Sequence, residues 1–99
     1  MQLRERDKPI CVAIVDDHDA IRFAFKAACA EFGFEFCDSA GSVNELLERN
    51  PNIRCDVVVM DLSLADGSIV AENVTKLLKT GAQVVIFSIA DKQNLVRAA

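Results

Sequence analysis

What the chain lacks narrows the reading first. No apolar stretch approaches the ~20 residues of a membrane span, and the charged opening segment Met1 to Pro9 has no apolar run of the kind a secretory leader carries. A cytoplasmic protein with no membrane partner is the expectation. Basic residues number 11 against 15 acidic ones, a net charge of −4, and no basic stripe is present to neutralise phosphates, so this segment is not expected to contact nucleic acid. Cys11, Cys29, Cys37 and Cys55 match no zinc-ligand spacing and read as small buried apolar side chains. No glycine-rich turn follows the first apolar run, which argues against a Rossmann or P-loop nucleotide site. Internal repeats and low-complexity tracts are also missing.

What is present is a chain 52% apolar and 26% charged, enough for one small globular domain over residues 10–99 behind a charged tail over 1–9. Its organising stretch is Cys55-Asp56-Val57-Val58-Val59-Met60-Asp61, an unalternating apolar run that reads as a strand buried on both faces and stops on a carboxylate. Ile10 to Val15 reads as a similar strand, also ending on acid at Asp16-Asp17, with His18 and Asp19 following. Ile21, Phe25, Ala28, Cys29 and Phe32 then recur at helical spacing until Gly33. Phe34 to Cys37 alternates as an edge strand does. Ser42 to Glu45 has capping-box spacing, opening a short helix that Asn50-Pro51 closes.

Beyond Asp61, residues 62–67 form a loop in which Asp66-Gly67 makes a turn. Val70, Val74, Leu77 and Leu78 mark a third helix ending at Thr80-Gly81. Gln83 to Phe87 reads as another buried strand, ending on Ser88. Asp91 can cap a fourth helix through Leu95 and Val96. The order βαβαβαβα with short connections calls for an α/β fold with a doubly wound parallel sheet.

Open sheets of this kind place their chemistry outside the carboxyl ends of the strands. If the first and third strands are neighbours, Asp16, Asp17 and Asp61 converge there, and the fourth strand brings Ser88 to the same edge. Three carboxylates repel by about 4 kcal/mol per pair at 4 Å and an effective dielectric of 20, so the cluster needs a cation. All-oxygen donors with open positions suit Mg²⁺. With that charge offset, Asp61 could attack phosphorus and carry an acyl phosphate, with Ser88 hydrogen-bonded to a phosphoryl oxygen. The bland readings are a helix cap or first-turn charge for Asp19 and Asp91, and a solvated loop side chain for His18.

From Val12 onward the chain resembles the receiver domain of bacterial two-component response regulators. The resemblance rests on Asp16-Asp17, on Asp61 at a spacing of 61 − 17 = 44, on the loop Asp61-Leu62-Ser63-Leu64-Ala65-Asp66-Gly67, and on Ser88. Val15-Asp16-Asp17-His18 and Val96-Arg97-Ala98-Ala99 are similar to regulators with a helix-turn-helix output domain. The resemblance implies a flavodoxin-like sheet of order 2-1-3-4, with the family's fifth strand and helix missing. It implies Asp61 as phosphoryl acceptor, Asp17 and Asp61 as Mg²⁺ ligands, Asp16 as a ligand through water, the Ser63 backbone carbonyl in the metal shell, and Ser88 as the switch hydroxyl.

The partner so implied is a sensor histidine kinase, and the expected output in a longer protein is transcription. Catalysis would be confined to the domain's own phosphorylation and hydrolysis. Ala65 stands where the family usually has proline, and Ile69 where glycine is common. The chain ends about ten residues before the family's lysine, and Lys76, Lys79 and Lys92 do not replace it by motif. Self-association through the fourth strand and helix is therefore expected. The competing readings are a receiver-like interaction module that is not phosphorylated and a Mg²⁺-dependent phosphohydrolase. Ser63 argues against the second, since it is not the second carboxylate such an enzyme needs.

Overall fold

A computed structural model describes residues 8–62, 64 and 66–88. Four strands, β1 (Cys11–Val15), β2 (Glu35–Ala40), β3 (Val57–Asp61) and β4 (Gln83–Phe87), alternate with three helices, α1 (Asp19–Phe32), α2 (Val43–Arg49) and α3 (Val70–Leu78). All strand pairs are parallel and the sheet order is β2-β1-β3-β4, the doubly wound arrangement expected. Ser63, Ala65, the expected fourth helix with Asp91, Lys92 and Val96 to Ala99, and most of the charged tail lie outside the described residues.

Local signals place the helix ends. Gly33 closes α1 with φ 81°, a left-handed conformation that costs a residue bearing a Cβ about 1 kcal/mol or more. Ser42 caps α2, its Oγ accepting from Glu45 N at 3.0 Å, while Glu45 Oε1 accepts from Gly41 N at 3.0 Å. Gly67 takes φ 74°, in the turn expected of Asp66-Gly67, and the Asp66 carboxylate accepts from both Ser68 N and Ser68 Oγ.

The core lies between the sheet and the α2–α3 layer. Ala13, Val15, Val58 and Met60 point into it from the strands, and Val43, Leu46 and Leu77 meet them from the helices. On the opposite face the strands are covered less fully. Val57 and Val59 are half-buried there and line a 280 Å³ apolar groove with Val12, Phe25 and Phe32. The expectation that the organising strand is buried on both faces therefore holds for one face, because α1 covers the other only in part.

A second correction concerns β4. The strand reads as buried from its apolar run, yet Val85 is 50% exposed and Ile86 is 44% exposed. Among the described residues β4 is an outer strand of the sheet, paired on one side only, so composition alone overstates its cover.

The expectation for β2 also differs in extent. The strand runs on to Ala40 through a bulge, with Val12 opposite Phe36 and Ala13 opposite Asp38, so that Cys37 is the inserted residue. A bulge of this kind turns two consecutive side chains toward one face. Cys37 packs on the core, and Asp38 reaches α2 beside it, where its Oδ2 accepts from Asn50 Nδ2 at 2.8 Å.

Candidate functional site

The carboxyl ends of β1 and β3 meet because the two strands are hydrogen-bonded neighbours, with Val15 opposite Met60. The residue after each pairing position is acidic, so Asp16 and Asp61 arrive side by side, with exposures of 0% and 1%. Asp17 follows Asp16 into the same space. One ligand atom from each of Asp16, Asp17, His18 and Asp61 falls within 4.8 Å of all the others. The structure thus brings together the three carboxylates singled out in the sequence.

Ser88 stands one residue beyond Phe87, the register partner of Asp61, at the same sheet end and exposed. Leu62 N donates to Phe87 O at 2.7 Å, so the loop leaving β3 is tied to the end of β4 beside it. Ser63 lies outside the described residues. Lys76 donates from Nζ to Asn44 Oδ1 on α2 at 3.0 Å.

The turn that carries Asp16 and Asp17 is held from several directions. Asp16 N donates to Ala40 O at 2.9 Å, which continues the β1–β2 ladder, and Arg22 Nη1 donates to Asp16 O at 2.6 Å. Arg22 also pairs with Asp19 in the first turn of α1. A charged residue of α1 therefore grips the site's backbone and leaves the site's carboxylates to other partners.

His18, expected as a solvated loop side chain, is exposed and lies against the acidic cluster. Its backbone N donates to Asp16 Oδ1 at 2.8 Å, and its Nδ1 lies 2.6 Å from the same oxygen, 3.4 Å from Asp17 Oδ1 and 3.9 Å from Asp61 Oδ2. The hydrogen bond to Asp16, followed by the charges of Asp16 and Asp17, raises the imidazole pKa above its ordinary value. Its side chain is nonetheless 56% exposed, so solvent screens this attraction. The sequence signal was its place directly after the acidic pair. A solvated loop residue has the same place, which is why the signal did not decide.

Asn73 went unremarked in the sequence, and it is a buried polar residue of α3. Its Nδ2 donates to Ser68 Oγ at 2.7 Å, and Ser68 in turn donates to Asp66, so the helix is linked to the Asp66-Gly67 turn by a polar chain.

The donor set fits a hard divalent cation. It is dominated by carboxylate oxygens, and two of them, Asp16 Oδ2 and Asp17 Oδ1, are buried without a hydrogen-bond partner among the described residues. Buried carboxylate oxygens left in that state are costly, and a cation with oxygen preference satisfies both at once. Asp16, Asp17 and Asp61 are the residues that would hold Mg²⁺.

Comparison with known proteins follows the same line. The family model described as the response regulator receiver domain matches residues 12–99. A search of curated proteins returned no significant match. Among solved structures, the chain is similar to the receiver domain of the Erythrobacter litoralis response regulator PhyR, with a TM-score of 0.72 and 20% identity, over 84% of this chain and 65% of that one. It is similar to the signal receiver domain of a modulated diguanylate cyclase from Desulfovibrio desulfuricans, with a TM-score of 0.74 and 18% identity, over 90% and 73% of the two chains. The isolated receiver domain of RcsB from Salmonella enterica serovar Typhimurium, studied with phosphomimetic BeF3−, has a TM-score of 0.67 and 14% identity, over 92% and 70%. This chain thus spans just under two thirds of the PhyR domain's length.

Proposed function

The chain belongs to the response regulator receiver domain family, and on that premise we propose that it is a phosphoacceptor module that takes a phosphoryl group onto Asp61 in a Mg²⁺-dependent reaction. The observation that carries the reading is the meeting of Asp16, Asp17 and Asp61 at one sheet end, where buried oxygens of Asp16 and Asp17 lack hydrogen-bond partners among the described residues. Mg²⁺ bound there supplies positive charge that offsets the incoming phosphoryl group and the carboxylates alike.

Asp61 acts as nucleophile. One carboxylate oxygen forms a bond to phosphorus as the bond from phosphorus to the donor breaks, and the donor's leaving group, the imidazole of a kinase phosphohistidine or the acetate of acetyl phosphate, departs with the bonding electrons. Asp17 and Asp61 would hold the cation directly and Asp16 through water, with the backbone carbonyl of Ser63, outside the described residues, as the further ligand that the family resemblance implies. Ser88 offers its hydroxyl to a phosphoryl oxygen from the neighbouring strand end. That contact would draw the end of β4 toward Asp61 and pass the modification outward as a change of surface.

The partner in this reading is a sensor histidine kinase in the cytoplasm. Among the described residues no helix is long and apolar enough to cross a membrane. In a longer regulator the altered surface would control an output, transcription in the first instance. The domain itself turns over no external substrate beyond its own phosphorylation and dephosphorylation.

Intact-mass measurement after incubation with acetyl phosphate and Mg²⁺ tests the reading. One added phosphoryl group is expected on the wild-type chain, none with chelator present and none on Asp61→Asn. Labelling that persists in Asp61→Asn would place the acceptor elsewhere.

A further inference from the structure

A second cluster of ligand-type side chains lies at the other end of the sheet. Cys11 opens β1, Cys37 is the bulge residue of β2, and Cys55 stands two residues before Val57, the first residue of β3. Their three sulfur atoms lie within 4.8 Å of one another. In sequence they are separated by 26 and 18 residues, a spacing with no metal-binding signature. Three different strand segments supply them, and they sit about five strand residues, or roughly 16 Å, from the acidic end.

The geometry points to a three-sulfur site for a divalent thiophilic cation of the Zn²⁺ or Cd²⁺ class, formed by Cys11, Cys37 and Cys55 at the amino ends of β1, β2 and β3. At a metal–sulfur distance of ~2.3 Å, tetrahedral ligands stand ~3.8 Å apart, so the sulfurs need only a small contraction to meet one ion. The pairing of β1 with both β2 and β3 is what makes the cluster. Ordinary alternation already turns position 37 to the α2–α3 side, opposite to Phe36 beneath Lys26, and the bulge sends Asp38 to that side as well.

Cation binding uses all three sulfurs, whereas a disulfide would use two and strand the third. Cys55 donates from Sγ to Cys11 O at 3.5 Å and to Val57 O at 3.3 Å, and these contacts aim its sulfur at the start of β1. Cys55 is buried, while Cys11 and Cys37 are half-buried, so a path from solvent reaches the sulfurs and a water can complete a fourth position. Burial first, then the neighbouring thiols, pushes the Cys11 thiol up to about 11 and moves Cys55 in the same direction. Neutral thiols are slow toward oxidants. Binding is balanced as one divalent cation and three thiols giving a tris-thiolate complex and three protons released to water, so affinity rises with pH. Nothing in this inference depends on the phosphoacceptor reading.

The test is titration of the reduced 99-residue chain with Cd²⁺, followed by the ultraviolet sulfur-to-metal charge-transfer band. One Cd²⁺ per chain is expected, with Cys11 and Cys37 protected from alkylation as located by peptide mapping. Zn²⁺ should compete for the same site. Cys37→Ser should weaken binding by more than about 100-fold, beyond the 10–100-fold that loss of an outer-shell partner causes. Cys29→Ser and Asp61→Asn should bind as wild type does. Absence of a saturable band, or a band unchanged in Cys37→Ser, would overturn the proposal. If Cys37→Ser does not fold by circular dichroism, the wild-type alkylation pattern decides alone, and unprotected Cys11 and Cys37 at saturating Cd²⁺ would sink it.

Discussion

Asp16 and Asp61 are nearly inaccessible to solvent and carry like charges a few ångströms apart, joined by the half-buried Asp17. Such an arrangement stores repulsion that a cation relieves. Asp17→Asn should therefore stabilise the chain in chelator by about 1 kcal/mol, a rise in Tm of roughly 4–8 °C for a domain of this size. The same variant should lose most of the stabilisation that Mg²⁺ gives the wild type. Calorimetry with and without Mg²⁺ reads both effects, and a destabilised variant in chelator would show that repulsion is not what Asp17 contributes. At this scale the acidic residues were legible in the sequence because each closes an apolar run. The contact of His18 with Asp16 was not, because its 2.6 Å approach depends on how the β1–α1 turn closes.

At the scale of elements, α2 shows both what local pattern reveals and what it hides. Ser42 and Glu45 announce the start of the helix by type and spacing alone, and the structure places the caps there. The other end depends on the β2 bulge, which no local residue pattern specified. Asp38, turned toward α2, accepts from Asn50 Nδ2, from its neighbour Ser39 N and from Arg49. Burial alone would raise its pKa, yet these hydrogen bonds and the Arg49 charge together hold it below the ordinary carboxylate value. A carboxylate depressed in the folded state contributes stability above its unfolded pKa and loses it as pH falls through the folded one. Urea midpoints should thus fall on acidification through and below the ordinary Asp range. Asp38→Asn should lower stability at neutral pH and flatten that part of the acid limb; an unchanged pH profile would remove Asp38 from the account.

At the scale of the whole molecule, the incomplete cover of the sheet among the described residues is the dominant fact. Val85 and Ile86, on opposite faces of the outer strand, are about half exposed, and Phe23 on α1 is largely exposed. An apolar outer strand with an open hydrogen-bonding edge is a template for pairing with another chain. Sedimentation velocity should show association that grows with concentration, and Val85→Lys should reduce it without loss of helical signal. A wild-type chain that stays monomeric at high concentration would exclude self-association through this edge.

The sequence by itself determined the element order, the parallel doubly wound class, the capping of α2, the Gly33 stop and the acidic residues at two strand ends. Each is written in local residue type and short-range period, which are properties of the chain before it folds. Only the tertiary structure decided which distant residues meet. The β1–β3 pairing joins Asp16 to Asp61 across 45 positions, the β1–β2 and β1–β3 pairings bring Cys37 and Cys55 beside Cys11, and β4's outer place among the described residues leaves an apolar run half in solvent. Register and neighbour choice depend on packing summed over the entire sheet, and no window of sequence holds that sum.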